Sequence, residues 1–326
     1  MADRGDISLA EPPAPSSESR GLVHRQRSWE PFGLADSPDC EEEFVLTGRL
    51  PADHPVLCDG PGRFHDLQAV AEMVRETGEF IGGTHFGIPA RRTGVFYRFA
   101  LAARDVGTWR TGAAPGELSA VLRVRPDKVI DGVPRALELR IALQLDDMPC
   151  GTGTANVVFL PPMTHRNHRL HSRGRALLAE PDPLPGQPVD PAEVGRDFAG
   201  NVLVHGPAPL ANGRLSAGVW LPADWPLPDE AAQGQLSALA QLETLRQTSL
   251  LAVGRGYGFA TERCTLAALK VHFRGYAEPD LAMRCAAVVG LRGRDAEGRR
   301  QAPVTLTLTQ AGRAVVEAVT MVVEDF

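Results

Sequence analysis

Residues Leu50–Gly87 and Leu221–Gly258 align without a gap at an offset of 171 positions, and eleven of the 38 aligned positions are identical. The identities include Pro51/Pro222, Asp53/Asp224, Glu72/Glu243, Arg75/Arg246 and Gly87/Gly258. A chain of 326 residues has room for two units of ordinary domain size, each with its own core. The repeat therefore constrains the fold to two copies of one unit. One substitution breaks the pattern: His54 of the first copy stands where the second has Trp225.

The order of local signals is the same in both copies. A strand-like stretch comes first, EEFVLTGRL ending at Leu50 and GRLSAGVWL ending at Leu221. A loop with Asp and Pro follows, and then a helix-like run of about 17 residues. Extended segments come next: ELSAVLRVRP, ALELRIALQLD and TGTANVVFLP after the first helix, LAMRCAAVVGL, APVTLTLTQ and RAVVEAVTMVV after the second. Val304, Leu306 and Leu308 alternate with threonines, the period of a strand with one buried face, which favours an antiparallel sheet.

In the run DLQAVAEMVRETGEFIG, Asp66 is placed to cap the helix N-terminus. Leu67, Val70, Val74 and Ile81 fall within roughly 60° of one another at 100° per residue and make an apolar stripe. Glu72 and Arg75 lie off that stripe. One helix followed by antiparallel strands buries its stripe by lying across the sheet, and two such units pack side by side. The expected architecture is α+β and duplicated, a dimer fused into one chain. EPDPLPGQPVDPAEVG (Glu180–Gly195) carries five prolines and reads as a linker. The expected organisation is a disordered tail over 1–19, a first unit over 20–168, a Pro-rich linker over 169–195 and a second unit over 196–326.

Composition narrows the function. A formal charge of −6 argues against a general nucleic-acid or anionic-membrane binder. No apolar run approaches the roughly 18–20 residues that span a bilayer. The first twenty residues lack the basic start and apolar middle of a signal peptide, so a cytoplasmic protein is expected. Five cysteines, at irregular wide spacing, fit neither a disulfide framework nor a metal site and read as buried thiols. THRNHRLHSRGR (Thr164–Arg175) spaces three histidines three apart, but interleaved arginines repel a cation and no carboxylate is present. A basic, solvated exit segment is expected there, with a docking patch for an acidic carrier protein as the second reading. GTGTAN (Gly151–Asn156) lies in a strand pattern and lacks the third glycine and helix of a nucleotide motif.

Four elements in order carry a family resemblance: LVHR (Leu22–Arg25), ADHP (Ala52–Pro55), FHDLQAVAEMVRE (Phe64–Glu76) and FGIP (Phe86–Pro89). The chain resembles the A-factor biosynthesis (AfsA-like) family of γ-butyrolactone and butenolide signal synthases, which carry tandem hotdog repeats. The resemblance covers most of 20–168 and, less strongly, 196–326. It implies a double hotdog fold, each unit an antiparallel sheet wrapping a long helix. It also implies transfer of a β-ketoacyl group from a carrier-protein thioester to the hydroxyl of dihydroxyacetone phosphate, with no metal or redox cofactor. In the second repeat the family's histidine-bearing stretch before the helix is replaced by QGQLSALAQLE, and Trp225 replaces the loop histidine. The first repeat is therefore expected to hold the acid/base groups and the second to support them.

Acyl transfer to a hydroxyl needs a group that polarises the carbonyl, a base for the hydroxyl proton and a wall for the acyl chain. The helix N-terminus near Asp66 can polarise. Glu72 is the candidate base, with His54 or His65 sharing that role and Arg75 orienting Glu72 or binding phosphate. Asp53, Arg91, Arg92, Glu243 and Arg246 are candidate substrate-binding residues. Each has a plainer reading: an i,i+3 surface ion pair for Glu72 and Arg75, loop or cap punctuation for His54 and His65, a pinned turn for Asp53 and a solvated turn for Arg91 and Arg92. Recurrence of the ion pair at Glu243/Arg246 favours a functional reading. A hotdog dehydratase or thioesterase acting on carrier-bound thioesters, and a non-catalytic double-hotdog binder, are the competing expectations. The fused pair is expected as a monomeric pseudo-dimer or as a homodimer.

Overall fold

The computed structural model describes residues 21–25, 41–50, 54–60, 63–112, 116–178, 186–222, 225 and 236–326. The first half supplies strands β1 (Gly21–Arg25), β2 (Glu42–Arg49), β3 (Thr93–Ala103), β4 (Glu117–Asp127), β5 (Ala136–Leu145) and β6 (Met148–Leu160). The second supplies β7 (Val204–His205), β8 (Arg214–Val219), β9 (Cys264–Phe273), β10 (Met283–Val289), β11 (Gly293–Arg294), β12 (Arg300–Gln310) and β13 (Arg313–Glu324). All pair antiparallel in one sheet, ordered β1-β2-β4-β5-β6-β3-β9-β13-β12-β10-β8-β7, with β11 beside β12. Read outward from the β3–β9 seam, the two halves repeat the same strand order. The seam runs from Arg98 opposite His272 to Ala102 opposite Ala268. This is a double hotdog in which the two sheets have merged.

Each half contributes one long helix, α1 (Leu67–His85) and, after α2 (Pro162–Leu178), α3 (Ala238–Tyr257). The stripe residues Leu67, Val70, Val74 and Ile81 are all buried in the common core. Each such side chain contributes on the order of 1.5–3 kcal/mol by leaving water, so α1 is held by packing rather than by propensity. Gly87 and Gly258, identical in the repeat, both follow a helix end with left-handed backbone, φ 61° and 65°, a conformation that disfavours a Cβ. The same positions end both helices because the same backbone turn is required twice.

Two local expectations are revised. Asp66 occupies the N-cap of α1, but its side chain makes no capping bond; it accepts from Arg196 Nη2 at 3.1 Å instead. The histidine-arginine segment is not a solvated exit: it is helix α2, fastened to the second half by Arg173, which donates to Glu278 at 2.9 Å and to Asp280 at 2.6 Å. Helix α2 runs across positions 168–169, where the first unit was expected to end. Residues 186–195, expected as linker, bring Val189 and Val194 into a small core with Val202, Val204, Leu215, Ala217 and Leu251. The expected tail over 1–19 lies outside the described residues.

Candidate active site

Helices α1 and α3 touch across the pseudo-twofold axis, so the N-terminus of each lies near the other helix's Glu/Arg pair. The repeated pair therefore occurs in two environments, and these differ completely.

The first is open. A cavity of ≈ 1120 Å³ is lined by Glu72, Arg75, Glu76 and Glu79 of α1, by Ile88–Ala90 and Arg92–Phe96, by His168 of α2, by Leu236, Ala238, Leu239 and Gln241 at the start of α3, and by Phe273–Ala277. Both halves of the chain build it. Arg75 grips Glu72 through Nε at 3.0 Å and Nη2 at 2.5 Å, and Nη1 reaches Glu79 Oε1 at 3.4 Å. Glu72 and Arg75 are 25% and 28% exposed, so the pair faces the cavity instead of being sealed in the core. Burial raises the affinity of Glu79 for a proton; Arg75 opposes this, and the neighbouring charges of Glu72 and Glu76 reinforce it. Glu79 was missed at the level of sequence. Its signal is its position one helical turn beyond Arg75, on the face that carries Glu72.

Two helix starts reach the cavity: the first turn of α1 through Ala69 and that of α3 through Ala238 and Leu239, and the first-turn amides of a helix carry partial positive charge. Ser237 caps α3, its Oγ accepting from Ala240 N at 2.8 Å, which leaves the earlier amides of that turn outside the cap. The apolar wall comes from Leu57, Met73, Ile88, Val95, Phe96, Phe159, Leu236, Leu239 and Phe273. The positive end comes from Arg92, whose Nη1 is buried without a hydrogen-bond partner among the described residues. Burial and then repulsion from Arg135 and Arg91 weaken the hold of Arg92 on its proton. A guanidinium crowded by other guanidiniums, with an unanswered donor, is suited to an anion.

The second environment is closed. Glu243 is 0% exposed and Arg196 is 2% exposed. Glu243 accepts from Arg196 at 2.8 and 2.7 Å, from Arg246 at 3.0 and 3.1 Å, from Gln247 at 2.7 Å and from Gln68 at 2.9 Å. Burial alone would raise the Glu243 carboxyl, but the charges and hydrogen bonds of Arg196 and Arg246 overturn that and hold it far below the usual carboxylate range. Arg196 also donates to the Asp59 carbonyl and to Asp66, and Asp59 in turn accepts from Asn201 Nδ2 at 2.7 Å. The expectation that Glu243 and Arg246 bind substrate is thus corrected: every acceptor position is taken by the protein, and neither residue lines the cavity. Arg196 was not anticipated, yet at the same offset of 171 it falls on Arg25 of the LVHR element.

The remaining candidates separate. His54 lines the cavity, and its Nδ1 accepts from the amides of Val56 and Leu57 at 3.2 and 3.1 Å. Those two donors assign the neutral ring as the Nε2–H tautomer, a donor rather than a base. Its counterpart Trp225 is buried in the core, with Nε1 lacking a partner among the described residues. His65 is not among the cavity-lining residues; it packs near Gly116, and burial lowers its proton affinity against the pull of Asp146 and Asp66. Arg91 is exposed and off the cavity wall. Asp53 lies outside the described residues. None of the described cysteines lines the cavity, and burial pushes the Cys150 thiol up to about 11. Among the described residues no group of three His, Cys, Asp or Glu side chains is placed to hold a metal ion, and no helix is long and apolar enough to cross a membrane.

Comparison with known proteins agrees with this architecture. The family model described as AfsA, A-factor biosynthesis hotdog domain, matches residues 9–161 and 179–323. The chain is 26% identical over 259 residues to a 2-oxo-3-(phosphooxy)propyl 3-oxoalkanoate synthase of Streptomyces coelicolor, covering 78% of this chain and 76% of that protein. Among solved structures, the 12:0-ACP thioesterase from Umbellularia californica superposes with a TM-score of 0.52 at 14% identity, covering 92% of this chain and 98% of that one. At that identity the likeness is one of fold.

Proposed function

The chain belongs to the A-factor biosynthesis hotdog family, and on that premise we propose that it is an acyltransferase joining a β-ketoacyl group, delivered as a thioester, to the hydroxyl of dihydroxyacetone phosphate or a similar phosphorylated acceptor. The observation that carries this reading is the cavity between the halves. It sets the Glu72–Arg75 pair, an arginine nitrogen with no partner among the described residues, the N-terminal turn of α3 and a long apolar wall around one space. The product named for the Streptomyces coelicolor relative is an ester of a 3-oxoalkanoate with a phosphorylated three-carbon ketone, and the cavity offers a surface for each part.

In this mechanism the apolar wall holds the acyl chain, and Arg92 takes the acceptor's phosphate. Glu72, fixed by Arg75, accepts the proton of the acceptor hydroxyl as its oxygen attacks the thioester carbon. The first turn of α3, with His54 Nε2–H as a second donor, stabilises the negative oxygen of the tetrahedral intermediate. The carbon–sulfur bond then breaks, the ester carbon–oxygen bond remains, and the proton passes from Glu72 to the departing thiolate. Glu79, whose proton affinity is raised, stands one turn away to share that proton. General-base assistance of this kind contributes roughly 10²–10⁴-fold to rate.

Incubation with a 3-oxoacyl carrier-protein thioester and dihydroxyacetone phosphate tests the proposal. Acceptor-dependent thiol release and the ester mass are expected. Release of free acid without acceptor would replace it with the thioesterase reading, and no release at any chain length by folded protein would overturn both.

A further inference from the structure

The two Glu/Arg pairs share a helix spacing but not their donors. Glu243 accepts six N–H contacts, two from Arg196, two from Arg246, one from Gln247 and one from Gln68. Among the described residues Glu72 accepts only from Arg75, through Nε at 3.1 and 3.0 Å and Nη2 at 2.5 Å. The offset of 171 accounts for the difference. Arg246 corresponds to Arg75, and that donor is kept. Gln247 corresponds to Glu76, Gln68 to Leu239 and Arg196 to Arg25. Only the folded contacts identify these as the positions that matter.

Each loss has its own physical reason. Gln247 stands one helical turn beyond Glu243, and its amide donates to Oε1 at 2.7 Å. Glu76 stands one turn beyond Glu72, and a carboxylate has no N–H to give. Gln68, the second residue of α1, crosses between the halves to donate to Glu243, the sixth of α3, at 2.9 Å. In the opposite direction the second residue of α3 is Leu239 and the sixth of α1 is Glu72, and a hydrocarbon side chain donates nothing. Arg25 lies exposed on β1 and donates to Glu43 at 3.3 Å. Glu76 and Leu239 both line the cavity with Glu72, so two of the three exchanges fall in the wall of the site. A carboxylate whose lone pairs are filled by fixed N–H donors has no position left for a substrate proton, and each such bond favours its ionised form.

We propose that Glu76 and Leu239 are the positioning residues that make the first repeat the catalytic one, because neither can donate to Glu72 where Gln247 and Gln68 donate to Glu243. The proposal rests on Glu72 as the base and deepens that reading by naming why the same carboxylate is inert in the second repeat. Two substitutions therefore rebuild the closed pattern around Glu72 while Glu72 and Arg75 stay in place. Gln68, 1% exposed, is the precedent for a buried amide at the crossing of the two helices.

The test uses the full chain with dihydroxyacetone phosphate and the N-acetylcysteamine thioester of 3-oxooctanoic acid. Glu76→Gln, Leu239→Gln and their combination introduce the amides; Glu76→Asp and Leu239→Met change the same positions without introducing a donor. The maximal rate of transfer is expected to fall about tenfold with each amide and about a hundredfold with both. The two control variants should stay within about threefold of the unmodified chain. In crystals of the double variant the introduced nitrogens are expected within about 3.2 Å of the Glu72 carboxylate. Equal losses in the amide and control variants, or amides that turn away from Glu72, overturn the assignment. Amides seated on Glu72 with full transfer retained overturn it as well. Where Leu239→Gln does not fold, Glu76→Gln against Glu76→Asp makes the same comparison on a partly exposed residue. If the unmodified chain releases no thiol, the acyltransferase reading fails, and the crystals alone decide whether these two positions set the donors on Glu72.

Discussion

Arg196 Nη2 lies 2.7 Å from Glu243 Oε2, and neither side chain reaches solvent. The same Glu/Arg helix pair thus lines a cavity in one half and is plugged by a third residue in the other. Removing one member of a buried ion pair leaves the other charge uncompensated and costs about 3–5 kcal/mol. Arg196→Ala is expected to lower unfolding stability by that amount, read from urea transitions at neutral pH. A loss below about 1 kcal/mol would mean that water or Arg246 satisfies Glu243 without it.

Acid should act through the same residue. The folded carboxyl of Glu243 is held far below its ordinary value, so its contribution is complete above the unfolded value of roughly 4.3 and is lost as pH falls below it. The urea midpoint of the unmodified chain should therefore drop steeply below about pH 5. In the double variant Arg196→Met with Glu243→Gln, which removes both charges, that drop should be shallower. Parallel curves would assign the acid sensitivity to other carboxylates.

Glu72→Gln keeps the size and a hydrogen-bond acceptor for Arg75 but loses the proton-accepting charge. Transfer should fall by roughly a hundredfold or more with an unchanged melting temperature. Glu79→Gln, at the edge of the same cluster, should have the smaller effect on the maximal rate. A larger effect from Glu79 would shift the base from the Arg75-bound carboxylate to its neighbour, and activity retained in both would remove either from the chemistry.

For Arg92, whose Nη1 has no partner among the described residues, substitution by Ala should raise the KM for the phosphorylated acceptor. A charged hydrogen bond is worth about 1.5–3 kcal/mol, roughly tenfold to a hundredfold. The KM for the acyl donor should stay within about twofold, by the same partition of binding effects. Equal changes in both would point to a general disturbance of the cavity.

Acyl-chain preference should respond to Gly82. A Cβ there would lie 2.7 Å from Phe159 Cζ and 3.2 Å from Ile88 Cδ1, and both side chains line the cavity. Gly82→Ala is expected to push them into the apolar wall and shift preference toward shorter chains, measured by competition between donors of different length. An unchanged profile would place the acyl chain elsewhere in the cavity.

Much of this protein was written locally. The stripe Leu67, Val70, Val74 and Ile81 and the alternation of Val304, Leu306 and Leu308 specify which faces leave water, and burial follows those patterns. The repeat at an offset of 171 specified two like units and singled out Glu72 and Arg75. Strands β3 and β9 were not legible, although they join the halves. At the seam β3 alternates, with Phe99 and Leu101 buried between Arg98, Ala100 and Ala102, but Thr93–Tyr97, which open the strand, are five intermediate residues in a row, so over its whole length the period of two that announces a half-buried strand is weak.

The local pattern could not say which Glu/Arg pair would stay open. Glu72/Arg75 and Glu243/Arg246 are spelled alike, and an i,i+3 spacing fixes only that each pair can meet on its own helix. Their surroundings depend on contacts made far along the chain: Arg196 arrives from 47 positions before Glu243, and Gln68 from 175 positions away in the other half. Tertiary packing sealed one pair beneath Arg196 and left the other facing a cavity built by both halves. Desolvation and charge pairing depend on what surrounds a group in space, and sequence neighbours carry little of that information.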